Sequence, residues 1–535
     1  MSELDFFSRQ KNYSPSQLKQ YHDALLFICA WPYDKKVFLL AQNEISRLAE
    51  ILKQHQHNKA WQYKLSGSGL PFTELRAQYS ESLTLWLLNN FHRDVRPAGA
   101  SGETEMAKKL LQSMLPGVEF YQASQDELNI WKRVKSITGY YHDQEALQWM
   151  ANIIQEQVGD PTLSDLVYDN LKIFLSWKLN DGFFTRSFLK LSPASIHFYK
   201  FPKNKVDRLS LKHRPPPKEK KLSKEHAEKL ITIARVSLAM YYSETDPFTY
   251  ADEHETALFD FGGGLQIALI GMIKERQLSL ENYIGYLAFQ NGIPVAYGGG
   301  WLFGYRCKIG INTFPPFRGG RSSELFLQVM RLYQKAYSVK TFEVKSYQFG
   351  KNNSEGIKTG AFWFYYKLGF RPANLIIKKI AEAEYEKIKS KPSYRSPAHL
   401  LRSFTNSHLE LKLKKIDAAV FDAEKISLFV TNMIKDRFGG NRENAIMVCK
   451  REAMNFLGLK KDLFKNSPEK NVFTNWSLLL ACLPGKGNWN KKQRRQFLKL
   501  IEWKVSGPEK KFLLALQHNN AFWLSVKKLV SSSTS

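Results

Sequence analysis

Cysteine is scarce in this chain. Cys29, Cys307, Cys449 and Cys482 are scattered over 535 residues with no paired spacing, which excludes a disulfide framework or a zinc ribbon and fits a reducing compartment. Long apolar runs are also lacking, since no uninterrupted stretch approaches the ~20 residues a membrane-spanning helix needs. The opening MSELDFFSRQKNYS has neither the basic start nor the apolar stretch of a secretory signal. The expectation is a cytoplasmic protein with no transmembrane segment. Acidic residues are in deficit, 50 Asp and Glu against 78 Lys and Arg, for a formal net charge of +28. Polyanions suit such a surface, whether nucleic acid, an anionic membrane face or a phosphorylated cofactor.

What is present is material for folded cores. Hydrophobic residues make up 43% and aromatics 13%, which excludes a globally disordered chain. The length exceeds what one core supports, so several domains are expected. Apolar residues at three- and four-residue spacing in 45–52, 83–88 and 146–154 predict a mainly helical N-terminal domain over 1–200. Residues 201–224 are crowded with Lys and Arg and carry Pro215, Pro216 and Pro217 in succession, which predicts a basic, semi-rigid linker. A central domain over 225–390 follows. Residues 391–535 then read as a helical, basic C-terminal domain ending in a disordered serine-rich tail. Within that domain, Lys491, Lys492, Arg494 and Arg495 accompany Phe497 and Trp503 in a segment suited to nucleic acid or an anionic surface. His55 and His57 have no further ligand signal around them, so no metal is expected.

Chemistry concentrates in 283–372. Residues 283–290 alternate as a strand, and Asn291-Gly292 is a hairpin turn because both residues tolerate positive φ. A third strand, 306–314, runs into FPPFRGGRSSELF. There Pro315 and Pro316 end the strand, Gly319 and Gly320 bend the chain between Arg318 and Arg321, and a helix starts beside Ser322 and Ser323. Backbone amides at a helix start, with guanidinium groups alongside, favour a pyrophosphate. A helix over 322–337, a strand over 341–347, a polar loop with Asn352 and Asn353, and an aromatic helix over 359–368 complete the pattern.

Arg318-Gly319-Gly320 at the loop, with Ala361, Tyr365 and Lys367-Leu368-Gly369-Phe370 in the last helix, resembles the GNAT acyltransferase superfamily over about 225–380. The resemblance implies an α/β fold: a central, mixed, mostly antiparallel sheet flanked by helices, between largely helical N- and C-terminal domains. It implies acyl-CoA as acyl donor and an amine as acceptor. Arg318, Gly319, Gly320, Arg321, Ser322 and Ser323 would hold the cofactor, and Tyr365 would protonate the departing thiolate. The loop departs from the family pattern, because Arg321 and Ser323 stand where small residues are expected, and Lys358 replaces an asparagine. The strand over 306–314 carries no carboxylate to serve as base. Glu343 on the next strand is one candidate, and Asp246, in the acidic group Glu244, Asp246, Asp252, Glu253 and Glu255, is another. Two alternatives stay open: a non-catalytic protein that binds anions or nucleic acid on a degenerate core, and a Fem-type transferase that takes aminoacyl groups from tRNA.

Overall fold

The computed structural model describes residues 13–100, 104–119, 121, 130–180, 182–193, 195–199, 216–319, 321–391, 393–413, 422–459 and 467–531. Most of the expected linker (201–215, with Pro215), Gly320 and the tail 532–535 lie outside the described residues.

The N-terminal region begins with helices α1 (Pro15–Ala30) and α2 (Lys35–Gln54). Ser14 caps α1 in a reciprocal box with Gln17, which satisfies amide donors that a helix start otherwise leaves open. Residues 25–29, a short apolar run that could have formed a strand, lie inside α1. The region is not purely helical, because β1 (Glu74–Gln78), β2 (Val95–Ala100) and β3 (Ile173–Lys178) form an antiparallel sheet in the order β1-β3-β2.

The protein is mixed α/β, and a large sheet dominates it. In sequence its strands are β4 (Lys218–Lys220), β5 (Ala251–Asp260), β6 (Leu265–Met272), β7 (Asn282–Gln290), β8 (Ile293–Phe303), β9 (Arg306–Ile309), β10 (Asn312–Thr313), β11 (Thr341–Val344), β12 (Arg371–Pro372) and β13 (Leu409–Lys412). In space the order is β12-β13-β11-β9-β8-β7-β6-β5-β4, with β10 beside β8. All pairs are antiparallel except β9 with β11. That parallel pair requires a crossover, supplied by α4 (Ser322–Tyr337), which matches the expected helix. Helix α3 (Lys224–Met240) precedes the meander, with Ser223 accepting from the His226 amide as its cap.

Two expected boundaries shift. Lys218–Lys220 is an edge strand paired with β5 rather than free linker, because Lys220 finds Asp260 at 2.9 Å. β13, from the expected helical C-terminal domain, inserts between β11 and β12, where Leu409 and Leu411 are buried.

A single contiguous core runs from Tyr13 through the large sheet, so the N-terminal helices and the sheet bury one another. The hairpin at Asn291 and Gly292, with φ of 48° and 82°, is part of this joint: the Asn291 amide donates to Ala30 O at 3.0 Å. A second core, around Trp476, Phe497, Phe512 and Phe522, belongs to the C-terminal helices.

Candidate functional site at the parting strands

The parallel pair β9 and β11 stays in register only at Arg306 with Thr341, Cys307 with Phe342 and Lys308 with Glu343. Beyond that the strands part. The expected strand 306–314 is interrupted at Gly310 and Ile311, resuming as β10 against Tyr297 and Ala296 of β8. The expected strand 341–347 stops at Val344 and turns into the short helix Ser346–Phe349. Packing fixes the break: the Tyr286 hydroxyl donates to Gly310 O at 2.7 Å, and a Cβ on Gly310 would lie 2.8 Å from the Gln348 side chain. On β8, added Cβ atoms would lie 2.7 Å from Tyr286 at Gly298, 2.5 Å from Tyr283 at Gly299 and 2.4 Å from Tyr333 at Gly300. Only glycine lets these three rings approach so closely.

A cavity of about 340 Å³ lies past the ends of the two strands, lined among others by Ile311, Asn312, Thr313, Arg318, Ser322, Gln348, Asn353, Glu355 and Tyr365. Arg318 reaches it from the loop, donating to Thr313 O at 3.3 Å and pairing with Glu355 at 3.0 Å. Gly319, at φ +97°, makes the bend. Ser322 opens α4 with its hydroxyl 3.1 Å from that of Thr313. The N-cap residue of α4, Arg321, makes no side-chain cap hydrogen bond, and the positive end of the helix dipole borders the cavity at Ser322.

Tyr365 sits on α5 (Ala361–Lys367), which matches the expected 359–368 helix, and a separate short helix, Ser354–Lys358, precedes it in the expected polar loop. It is 3% exposed yet lines the cavity. Burial pushes its phenol well above the usual range, against a main-chain hydrogen bond with Ile311. The hydroxyl therefore keeps its proton at neutral pH.

Other expected site residues fall elsewhere. Arg321 turns away: its guanidinium lies over the Tyr199 ring at 4.4 Å and pairs with Glu324 at 3.1 Å, beside a separate cavity of about 120 Å³. Ser323 is exposed at the second position of α4. Glu343 is buried and ion-paired with Arg306, with His408 3.7 Å away, and it lines neither this cavity nor its neighbour. A cation already occupies the carboxylate proposed as base. Glu343, His408 and Glu410 do bring ligand-type atoms together, but Arg306 already pairs with the Glu343 carboxylate. The acidic group disperses as well. Glu244 accepts from the Ser80 amide at 3.0 Å, Glu253 pairs with Lys224 at 3.4 Å and Glu255 accepts from the Glu509 amide at 3.1 Å. Asp246 is raised above the ordinary carboxyl range by desolvation, against the pull of Arg276, and its charge bears on Tyr283.

Tyr283 belongs to a second cavity, of about 300 Å³, which shares Asn312 and Gln348 with the first. Thr245, Glu281, Trp301, Lys308, Lys345 and Glu424 complete most of its wall. Tyr283 and Trp301 stack with ring centres 4.2 Å apart. Lys308 is held 3.2 Å from Glu281 and 3.2 Å from Asp422. Asp422 caps α6 (Ala423–Phe438), so a C-terminal helix completes this side of the site. Burial pushes Asp422 up, but Arg306, the Glu424 amide and Lys308 outweigh it and hold the carboxyl down at about 2. Sequence reasoning passed over Gln348, Asn312 and Glu281. The run Gly298-Gly299-Gly300 inside a strand was the one visible sign that backbone and rings meet closely here.

Comparison of the chain with protein-family models, with curated proteins and with solved structures finds no match.

Proposed function

We propose that the chain is an N-acyltransferase of GNAT type that moves an acyl group from acyl-CoA to an amine. The observation that carries the reading is the parting of β9 and β11, past which a cavity opens beside the start of α4 and shares two wall residues with a neighbouring cavity. In this reading the CoA pyrophosphate lies against the first turn of α4 with Arg318, and Ser322 adds a hydroxyl. An anion there gains from amide donors and the helix dipole together. The acyl group points to the break at Gly310 and Ile311. The amine enters from the second cavity, so that both substrates meet at Asn312 and Gln348, and holding them together lowers the entropic barrier.

The chemistry then balances. A neutral amine attacks the thioester carbonyl, the C–N bond forms and the C–S bond breaks. The nitrogen releases one proton to solvent, the thiolate takes the proton that Tyr365 holds, and Tyr365 regains one from solvent. The products are an amide and free CoA.

The reading is tested by calorimetry of the full chain with acetyl-CoA and with longer acyl-CoAs. Saturable binding that weakens when Arg318 is replaced by Ala is the expected result. No binding, alongside salt-sensitive binding to RNA, would instead favour the basic nucleic-acid-binding alternative.

A further inference from the structure

The second cavity says what kind of amine the site accepts. Resting on the acyl-transfer reading above, we propose that the acceptor is a small amine bearing a flat apolar or aromatic body, bound as its ammonium form with that body against Trp301 and its charge on Glu281, and that it releases one proton to solvent to become the neutral amine that attacks.

Three observations converge. First, Trp301 is 36% exposed although it belongs to a central strand, and its ring lies on Tyr283 with planes 26° apart. The two rings are locked by Gly299, where a Cβ would strike Tyr283 at 2.5 Å. A rigid aromatic face left open inside a cavity suits a flat apolar body or a cation, because the ring face carries negative charge density.

Second, the carboxylate on that wall is held in place. Glu281 is 13% exposed and anchored 3.2 Å from Lys308, which is itself only 6% exposed and held also by Asp422. Lys308 therefore works as a fixed strut for Glu281, which lines the cavity where the ammonium would sit. Asp246 adds negative potential from beyond Tyr283. In a chain with a net charge of +28, a wall carrying as many carboxylates as lysines is a local exception to the basic surface.

Third, the cavity ends where the chemistry begins. Asn312 and Gln348 border both cavities, and Gly310, whose Cβ would meet Gln348, lines the second. A molecule seated on Trp301 presents its nitrogen toward the strand break rather than toward bulk solvent. Glu343 and Asp246 are not needed in contact with the amine, which accords with their placement outside both walls.

The test uses the full chain with acetyl-CoA and phenethylamine, a probe with one ring and one ammonium, and with phenethyl alcohol as its uncharged counterpart. Acetyl-CoA binding is measured first, by calorimetry, and free thiol release is then followed against amine concentration. Phenethylamine should support thiol release while the alcohol should not. Trp301→Leu and Glu281→Gln should each raise the KM for the amine by ~10-fold or more while leaving acetyl-CoA affinity unchanged. Acetyl-CoA binding without phenethylamine turnover, or turnover indifferent to both substitutions, overturns the acceptor assignment and leaves the acyl-transfer reading standing. Failure to bind acetyl-CoA removes that reading. In that case, phenethylamine binding by calorimetry that is lost in both variants would keep the cavity as an amine site alone, and its absence would remove this too.

Discussion

Tyr365 and Arg321 show how differently single residues can be read. Tyr365 was legible because its place four residues before Gly369 is a local feature, and the helix that carries it forms from local sequence. Arg321 misled because its partner, Tyr199, is 122 positions away and packs from the N-terminal region. Nothing in a loop's own sequence announces that contact. If Tyr365 supplies the thiolate's proton, Tyr365→Phe should lower kcat by at least ~10-fold while leaving acetyl-CoA affinity unchanged in calorimetry. Equal loss of both would make it a packing residue only. An anion bound by Arg318 would also have a competitor, since Glu355 pairs with that guanidinium at 3.0 Å. Both side chains are largely exposed, so the pair is weak. Glu355→Gln should therefore tighten acetyl-CoA binding only a few-fold, roughly the effect of a surface ion pair, and a weakened affinity would show that Glu355 helps the ligand instead.

At the scale of elements, the meander, the hairpin and α4 were readable from alternation, from Asn291-Gly292 and from helical spacing. The breaks in β9–β10 and after β11 were not, because they are imposed by Tyr286 and Gln348 from other segments. The same is true of β13, whose apolar alternation Leu409 and Leu411 is too short to stand out from its helical surroundings. These elements also carry a pH prediction. Asp422 joins α6 to the site by holding Arg306 and Lys308, and its carboxyl sits at about 2 against an ordinary value of 3.8. A depressed carboxyl contributes stability that is complete above the unfolded value and is lost as pH falls through the folded one. Allowing for its partial exposure, the contribution at neutral pH is about 1–2 kcal/mol. In urea titrations, Asp422→Asn should be less stable than wild type by that amount near pH 7, with the gap closing as the pH is lowered from about 4. A gap that persists unchanged into acid would place the loss in packing.

For the whole molecule, the expected division into independent domains gives way to a fused N-terminal region and sheet with a helical bundle docked on them. The Tyr79 hydroxyl donates to Ala239 O at 3.1 Å, deep between the two regions, and one core spans both. Composition cannot reveal this, because burial between distant segments leaves no local pattern. The bundle docks through a polar joint: Lys504 and Glu509, each 2% exposed at the side chain, stand 3.9 Å apart under the sheet, where the Asn282 amide donates to Glu509 at 2.9 Å. Burial lowers the lysine and raises the carboxyl, and the charge of each opposes that shift in the other. Removing one partner strands the second in a dry interface, which typically costs about 3–5 kcal/mol, whereas replacing both with apolar side chains of similar size is often neutral or stabilising. Glu509→Leu alone should therefore lower the melting temperature well below that of the double replacement Lys504→Met with Glu509→Leu. Equal losses would mean that the pair contributes through volume and not through charge, and that the bundle is held to the sheet by its apolar contacts alone.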